Sequence, residues 1–374
     1  MDKIRMVDLQ GQYLRIKPEI DRAIQEVLDS TAFIQGPQVG TFAQNLAKFT
    51  GAKFVIPCAN GTDALQIAMM ALDLKSGDEV ILPVHTYVAT AEVIALLGLT
   101  PVFIDVDQRT FNIDVTQLEG KITRKTKAIV PVHLYGQCAD MEPINNVASK
   151  HGLFVIEDAA QSLSATYTFT DGSTKFAGTM GTIGTTSFFP SKNLGCYGDG
   201  GAIFTNEDKL AERIKMMANH GQRVKYHHDV IGVNSRLDTL QAAILDVKLK
   251  YLPGYTQSRN DVASHYDRML ADVAGITVPH RAANSTHAFH QYTLQAERRD
   301  ELKDYLLKAG IPTMIYYPTP LHFQKAYERP AFGPGSFPVT EQLSKTVISL
   351  PIHTEMKTGE LEMICDTIKK FYDE

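Results

Sequence analysis

The sequence predicts an α/β protein: a mainly parallel sheet with helices on both faces, followed by a smaller C-terminal α/β unit. Two features carry that expectation. From residue 53 onward, short apolar runs alternate with stretches of helical period, the pattern of strands joined by crossover helices in a parallel sheet. At 374 residues the chain is also long enough for two domains, or for one large domain with an appendage.

An amphipathic helix is expected over residues 18–28, where Ile20, Ile24, Val27 and Leu28 share one side and Pro18 falls early enough to be tolerated. The run Phe33-Ile34-Gln35-Gly36-Pro37 breaks it, and Phe42, Leu46 and Phe49 indicate a second helix. Strands follow at 54–57, 80–82, 101–104, 128–132, 154–157, 185–189 and 202–205, with helices such as 64–72 and 89–97 between them. Helices around 239–251 and 260–270 lead into the C-terminal part, where 301–309, 311–316 and 359–372 indicate another mixed unit. The expected division is a large domain over 1–250, N-terminal helices included, and a small domain over 251–374.

The net charge of -5 disfavours a nucleic-acid partner, whose footprint is usually basic, but leaves room for an anionic small substrate. Cys58, Cys138, Cys196 and Cys365 are scattered, with no close pair at metal or redox spacing, as expected of thiols in a reducing compartment. Tyr226-His227-His228 lacks metal-ligand spacing relative to His220 or the carboxylates, so no metal is expected. No segment has signal-peptide or membrane-spanning character, and a cytoplasmic protein without membrane contact is expected.

The residues that carry chemistry fall where such sheets bind ligands, beyond the carboxyl ends of strands. Ala59-Asn60-Gly61-Thr62-Asp63-Ala64-Leu65 follows the first strand and opens a helix. Free N–H groups, the helix dipole and the Thr62 hydroxyl suit a phosphate, with Gly61 permitting close approach; a plain capping turn has the same look. Asp158 ends the apolar run Leu153-Phe154-Val155-Ile156, within Glu157-Asp158-Ala159-Ala160-Gln161. Lys192 follows a later strand in Ser187-Phe188-Phe189-Pro190-Ser191-Lys192-Asn193-Leu194-Gly195. A buried carboxylate at a strand end, then a lysine bracketed by Ser and Gly, is the pair that pyridoxal phosphate chemistry requires. The lysine amine forms a Schiff base with the cofactor aldehyde, and the carboxylate keeps the pyridine nitrogen protonated. Taken singly, Asp158 can cap a helix, Gln161 can be a capping partner, Lys192 can lie on the surface, and Tyr87 can be a rim tyrosine instead of stacking on a planar ring. Ser187 and the glycines at 195, 198, 200 and 201 around Asp199 favour a close-approach backbone over a solvated face.

With these residues assembled, the chain resembles the DegT/DnrJ/EryC1/StrS family of nucleotide-sugar aminotransferases nearly end to end, from Val7-Asp8-Leu9 to Tyr316-Tyr317-Pro318 and Pro320-Leu321-His322. The most specific runs are 157–161, 187–201 and Gly232-Val233-Asn234-Ser235-Arg236-Leu237-Asp238. The resemblance implies the fold-type I, aspartate-aminotransferase-like architecture and pyridoxal 5'-phosphate as cofactor. It assigns the cofactor aldehyde and the proton shuttle to Lys192, the pyridine nitrogen to Asp158 and the ring hydroxyl to Gln161. Gly61, Thr62 and Ser187 would hold the phosphate, and Tyr87 would stack on the ring. Asn234 would reach the phosphate from the neighbouring subunit of a homodimer, and Arg236 would line the substrate side, with Tyr316, Tyr317 and His322. L-Glutamate would be the amino donor and a nucleotide-linked keto sugar the acceptor.

Members that aminate C3 of a 3-keto sugar look nearest. Arg236 suits the carboxylate of a UDP-linked 2-acetamido hexuronate. A dTDP-linked 3-keto-6-deoxyhexose is compatible with the same run, and a C4 aminotransferase stands third. Lys192 argues against the dehydratase relatives, which carry histidine there, and the full set of residues argues against a non-catalytic regulator. Two departures from the family pattern concern the substrate side: Leu163-Ser164-Ala165 stands where many relatives have His-Gly-Ala, and 167–175 is lengthened.

Overall fold

The computed structural model describes residues 4–373. Its central sheet contains β1 (Phe54–Cys58), β2 (Glu79–Pro83), β3 (Thr100–Ile104), β4 (Thr126–Ile129), β5 (Phe154–Asp158), β6 (Ile183–Ser187) and β7 (Gly201–Thr205), in the order β1-β7-β6-β5-β4-β2-β3. Every strand expected for it is present, with ends displaced by a few residues. Strands β6, β5, β4, β2 and β3 pair in parallel. Strand β7 alone runs the other way, antiparallel to both β1 and β6. That reversal sets the start of β7 beside the ends of its two neighbours: Cys58 pairs with Gly201, and Gly201 pairs with Ser187.

Helices α1 (Leu9–Ser30) and α2 (Pro37–Thr50) precede the sheet. Helix α1 begins well before residue 18, because Asp8 accepts a hydrogen bond from Gly11 N and caps it; Pro18 therefore lies inside the helix. Helices α3 (Gly61–Ala71), α4 (Ala89–Leu96), α5 (Met141–His151), α6 (Asp208–Met217), α7 (Thr239–Leu249) and α8 (Leu252–Leu270) follow. Alternate residues of β2 go to opposite faces, as strand geometry requires. Val80 and Leu82 join one buried apolar cluster with Ile67 and Ile214, while Ile81 joins another with Ile104 and Ile144. Burial on both faces is what a parallel sheet between helix layers demands.

The C-terminal unit is a three-stranded antiparallel sheet, β8 (Ile276–Thr277), β9 (Tyr292–Ala296) and β10 (Val347–Leu350). Helices α9 (Arg299–Lys308), α10 (Pro338–Thr346) and α11 (Thr358–Asp373) accompany it. No strand forms at 311–316, where only Met314 bridges to Ser349. Packing is not local in sequence: Ile4 lies in the C-terminal cluster with Tyr266 and Ile364, whereas Leu321, Tyr327 and Phe337 join the cluster of the central sheet. Among the described residues, no helix is long and apolar enough to cross a membrane, and the four cysteines are free and buried.

A buried carboxylate fastens α10 to the central sheet. Asp105, just beyond β3, accepts from Val339 N and Thr340 N, both at 3.0 Å, and from Thr340 Oγ1 at 2.7 Å. Replacing it by alanine strands these donors in the interior. Asp105→Ala is expected to lower the unfolding free energy by about 1–3 kcal/mol, seen as a lower urea midpoint at unchanged slope.

Candidate active site

Three strand ends converge to form a backbone cradle. Asn60 caps α3, its Oδ1 accepting from Asp63 N at 2.8 Å, and the amides of Gly61 and Thr62 occupy the first turn, where a helix has no internal acceptor for them. A Cβ on Gly61 would stand 2.7 Å from Ser187 Cβ, and one on Gly201 would stand 2.5 Å from the Asn60 carbonyl. The first turn of α3 thus lies directly on β6 and β7, a distance only glycine allows. Amide donors at the positive end of a helix beside the Ser187 hydroxyl suit a phosphate group. Ser235 also reaches this edge, its Oγ accepting from Ala59 N at 3.1 Å, a contact that the sequence reading did not foresee.

Asp158, the last residue of β5, is buried. Its Oδ2 accepts from Thr90 Oγ1 in α4 at 2.8 Å, and its Oδ1 from Ala160 N at 3.2 Å. The preceding Glu157 is fully enclosed and accepts from Gly178 N (2.8 Å), Met180 N (2.6 Å) and Gly181 N (2.5 Å), with His133 Nε2 at 2.9 Å. Lys192 stands in the loop after β6, in a turn closed by Lys192 N donating to Phe189 O at 2.8 Å. Lys248 of α7 secures that loop by donating to Gly195 O, and Asn193 Nδ2 donates to Ala288 O at 2.6 Å. Among the described residues, the Lys192 amine has neither a hydrogen bond nor an ion pair. Burial pushes its pKa down to about 8, against the opposing pull of the Asp158 charge.

An aromatic wall completes the crevice. Gln161 Oε1 accepts from Tyr135 N at 2.7 Å, and its Nε2 donates to Tyr317 OH at 3.3 Å. Tyr135 OH donates to Tyr316 O and lies 3.1 Å from His85 Nε2. Tyr87 is exposed, with its ring 6.1 Å from that of Tyr317. Burial pushes the His85 imidazole down to about 4 and the Tyr135 and Tyr317 phenols upward, so all three are neutral near pH 7. Sequence reasoning missed Thr90, Tyr135 and His85. Their roles come from contacts between distant segments, and the left-handed backbone of Tyr135 (φ 58°) leaves no mark in the composition of its turn.

The remaining expected residues are dispersed. Asn234 is exposed and bridges to Asn219. Arg236 lines a cavity of about 520 Å3 together with Lys215 and Arg223. Beside that cavity, a hairpin pairs Gln222–Val224 with His227–His228, and Val224, Tyr226 and Ile231 are largely exposed there. His322, expected on the substrate side, is instead fully buried: it packs on the rings of Phe323 and Phe337 and meets Glu341 Oε1 at 3.3 Å. It is packed into the core between two phenyl rings and the Glu341 carboxylate. The lengthened 167–175 segment forms a short hairpin, Thr166–Thr168 against Thr174–Phe176.

Residues 14–369 match the DegT/DnrJ/EryC1/StrS aminotransferase family. The chain is 50% identical to the UDP-2-acetamido-2-deoxy-3-oxo-D-glucuronate aminotransferase of Pseudomonas aeruginosa, over 97% of this chain and 98% of that protein. It is 46% identical to a pleiotropic regulatory protein of Geobacillus stearothermophilus, over 99% and 98%. Among solved structures, DesV of S. venezuelae, in complex with a ketimine intermediate, superposes with a TM-score of 0.96 at 37% identity, covering all of both chains.

The cradle makes a direct prediction. Gly61→Ala forces α3 away from Ser187, an overpacking cost of about 1–3 kcal/mol. Pyridoxal phosphate retention is expected to weaken roughly tenfold or more, read by equilibrium dialysis of the folded variant.

Proposed function

The chain belongs to the DegT/DnrJ/EryC1/StrS aminotransferase family, and from that premise we propose that it moves the amino group of L-glutamate to C3 of a UDP-linked 2-acetamido-3-keto hexuronate. It is an enzyme that uses pyridoxal 5'-phosphate. The residues present fit that group: a glycine-lined cradle that a single Cβ would fill, a buried carboxylate at a strand end and an unpartnered amine. When bound, the cofactor supplies an aldehyde that takes up the amino group and an electron-withdrawing ring that lets a Cα proton leave.

The protein's own groups divide the remaining work. Gly61 and Thr62 amides with the Ser187 hydroxyl hold the phosphate. Asp158, itself held by Thr90 and Ala160 N, keeps a proton on the ring nitrogen. Gln161 Nε2 has a second N–H beyond the one given to Tyr317, available to the ring hydroxyl. Tyr87 covers one ring face, and Tyr316 and Tyr317 shield the site from water on the substrate side. Lys192 carries the proton from the donor Cα and returns one to the sugar carbon in the second half of the cycle. The observation that carries this reading is the Lys192 amine: free of partners, lowered to about 8, and within reach of the Asp158 charge.

The hexuronate is supported by Arg236, whose guanidinium has no ion-pair partner among the described residues and would suit a carboxylate. The P. aeruginosa relative acts on such a sugar by name. A homodimer with shared sites is supported by Val224 and Tyr226 of the hairpin and Ile231 just beyond it, whose exposure makes apolar surface suited to a second copy. Asn234 and Arg236 adjoin that hairpin and would enter the partner's crevice.

Lys192→Ala is expected to cut turnover by about a thousandfold or more while the variant still folds. The substrate is tested by converting the wild-type protein with glutamate, removing the excess and adding keto sugars singly while recording the visible spectrum. Return of the original band with the UDP-linked 3-keto hexuronate alone is expected. Return with a dTDP-linked 3-keto-6-deoxyhexose alone would remove the carboxylate role of Arg236, and no response to glutamate would remove the donor.

A further inference from the structure

Gln161 and the 316–317 segment meet at one residue to which the chemistry above gives no task. Tyr135, in the loop after β4, is 2% exposed, and its polar atoms are committed to four different stretches of chain. Its N–H donates to Gln161 Oε1 at 2.7 Å, and its carbonyl accepts from Gln291 N, just before β9, at 3.2 Å. Its hydroxyl donates to Tyr316 O and lies 3.1 Å from Nε2 of His85, just after β2.

The chemistry of the partners fixes the direction of each bond. A carbonyl can only accept, so the phenol proton goes to Tyr316 O. The ring nitrogen facing the phenol oxygen must then donate, which puts the single proton of the neutral His85 imidazole on Nε2. In such a chain each bond polarises the next, so His85 strengthens the hold of the phenol on Tyr316. On the other side, only the oxygen of a carboxamide can receive the Tyr135 N–H. Gln161 therefore turns its NH2 group toward Tyr317 OH.

The ring itself belongs to a buried cluster with Phe111 and Leu343, against which Ile315, Tyr316 and Tyr317 pack. Phenylalanine would serve that packing equally; the hydroxyl is what reaches Tyr316. Tyr135 thus acts on the two sides of the crevice by different means. It holds Gln161, on the cofactor side, through its main chain, and it holds 316–317, on the substrate side, through its side chain.

We propose that Tyr135 is a positioning residue for the acceptor sugar, its hydroxyl latching the 316–317 segment onto the loop after β4 and so setting where the two tyrosines face the substrate. The proposal rests on the aminotransferase reading, in which Tyr316 and Tyr317 line the substrate side.

Tyr135→Phe separates the two means, because it removes the hydroxyl and leaves the N–H on Gln161. The test compares wild type and variant holoenzyme with glutamate and whichever keto sugar the wild type turns over. The KM for the sugar is expected to rise about tenfold, the scale of one lost hydrogen bond, while kcat and pyridoxal phosphate retention fall by less than about twofold. Without any substrate, amide hydrogen exchange over 314–317 is expected to quicken about tenfold and that over 157–161 to stay unchanged.

An unchanged KM, with or without a lower kcat, marks a merely structural hydroxyl and overturns the proposal, as does a rise matched by an equal loss of cofactor. Unchanged exchange over 314–317 overturns it as well. His85→Leu, which strips the phenol oxygen of its donor, carries the same test should Tyr135→Phe not fold: a raised sugar KM supports the proposal and an unchanged one overturns it. A wild-type protein whose spectrum never responds to glutamate overturns the functional reading, and this proposal with it. A wild type that turns over, beside a variant with unchanged sugar KM, overturns this proposal alone.

Discussion

The crevice depends on a carboxylate that takes no part in chemistry. A fully enclosed carboxylate is costly unless its lone pairs are filled, and Glu157 fills them with three backbone amides of 178–181 and the ring of His133. Successive residues of a strand face opposite sides, so fixing Glu157 on one face of β5 fixes where Asp158 stands. His133 locks both, because its ring meets Glu157 while its backbone N–H donates to Asp158 O at 3.0 Å. Two residues later, Tyr135 N holds Gln161. One buried carboxyl group thus sets the strand end, the placement of Asp158 and the amide of Gln161 beside it.

Two lysines show how like burial serves unlike ends. Lys192 and Lys248 are both pushed down to about 8 by burial. Lys248 donates to Gly195 O and lies over the Tyr197 ring, contacts that favour a cation and steady the loop. Lys192, a few residues away in that loop, has no such partner among the described residues. Desolvation alone does not distinguish structural from chemical lysines; the partners do.

Much of this could be read from the sequence, and what could not has a common cause. The seven strands were legible because each is a short apolar run between helical stretches, and β7's reversal was hidden because direction is not a local property. Asp158 and Lys192 stood out through their immediate neighbours. Thr90 and Tyr135 did not, since each acts through a contact with a segment far along the chain. His322, which the family resemblance placed on the substrate side, is enclosed in the core by Phe337 and Glu341, both far from the segment's own apolar pattern. The start of α1 was missed because one capping side chain, Asp8, outweighs the apolar pattern from which the helix was inferred.

The cradle's closeness has a consequence for how such a chain can change over generations. A Cβ on Gly61 would meet Ser187 Cβ and one on Gly201 the Asn60 carbonyl, so almost every substitution there is a loss. Tyr316 and Arg236 are only partly covered, and their side chains can vary in size and charge without disturbing the strand ladder beneath them. Drift is thereby channelled to the rim. A lineage built on this scaffold can explore new acceptor molecules while its cofactor seat stays frozen.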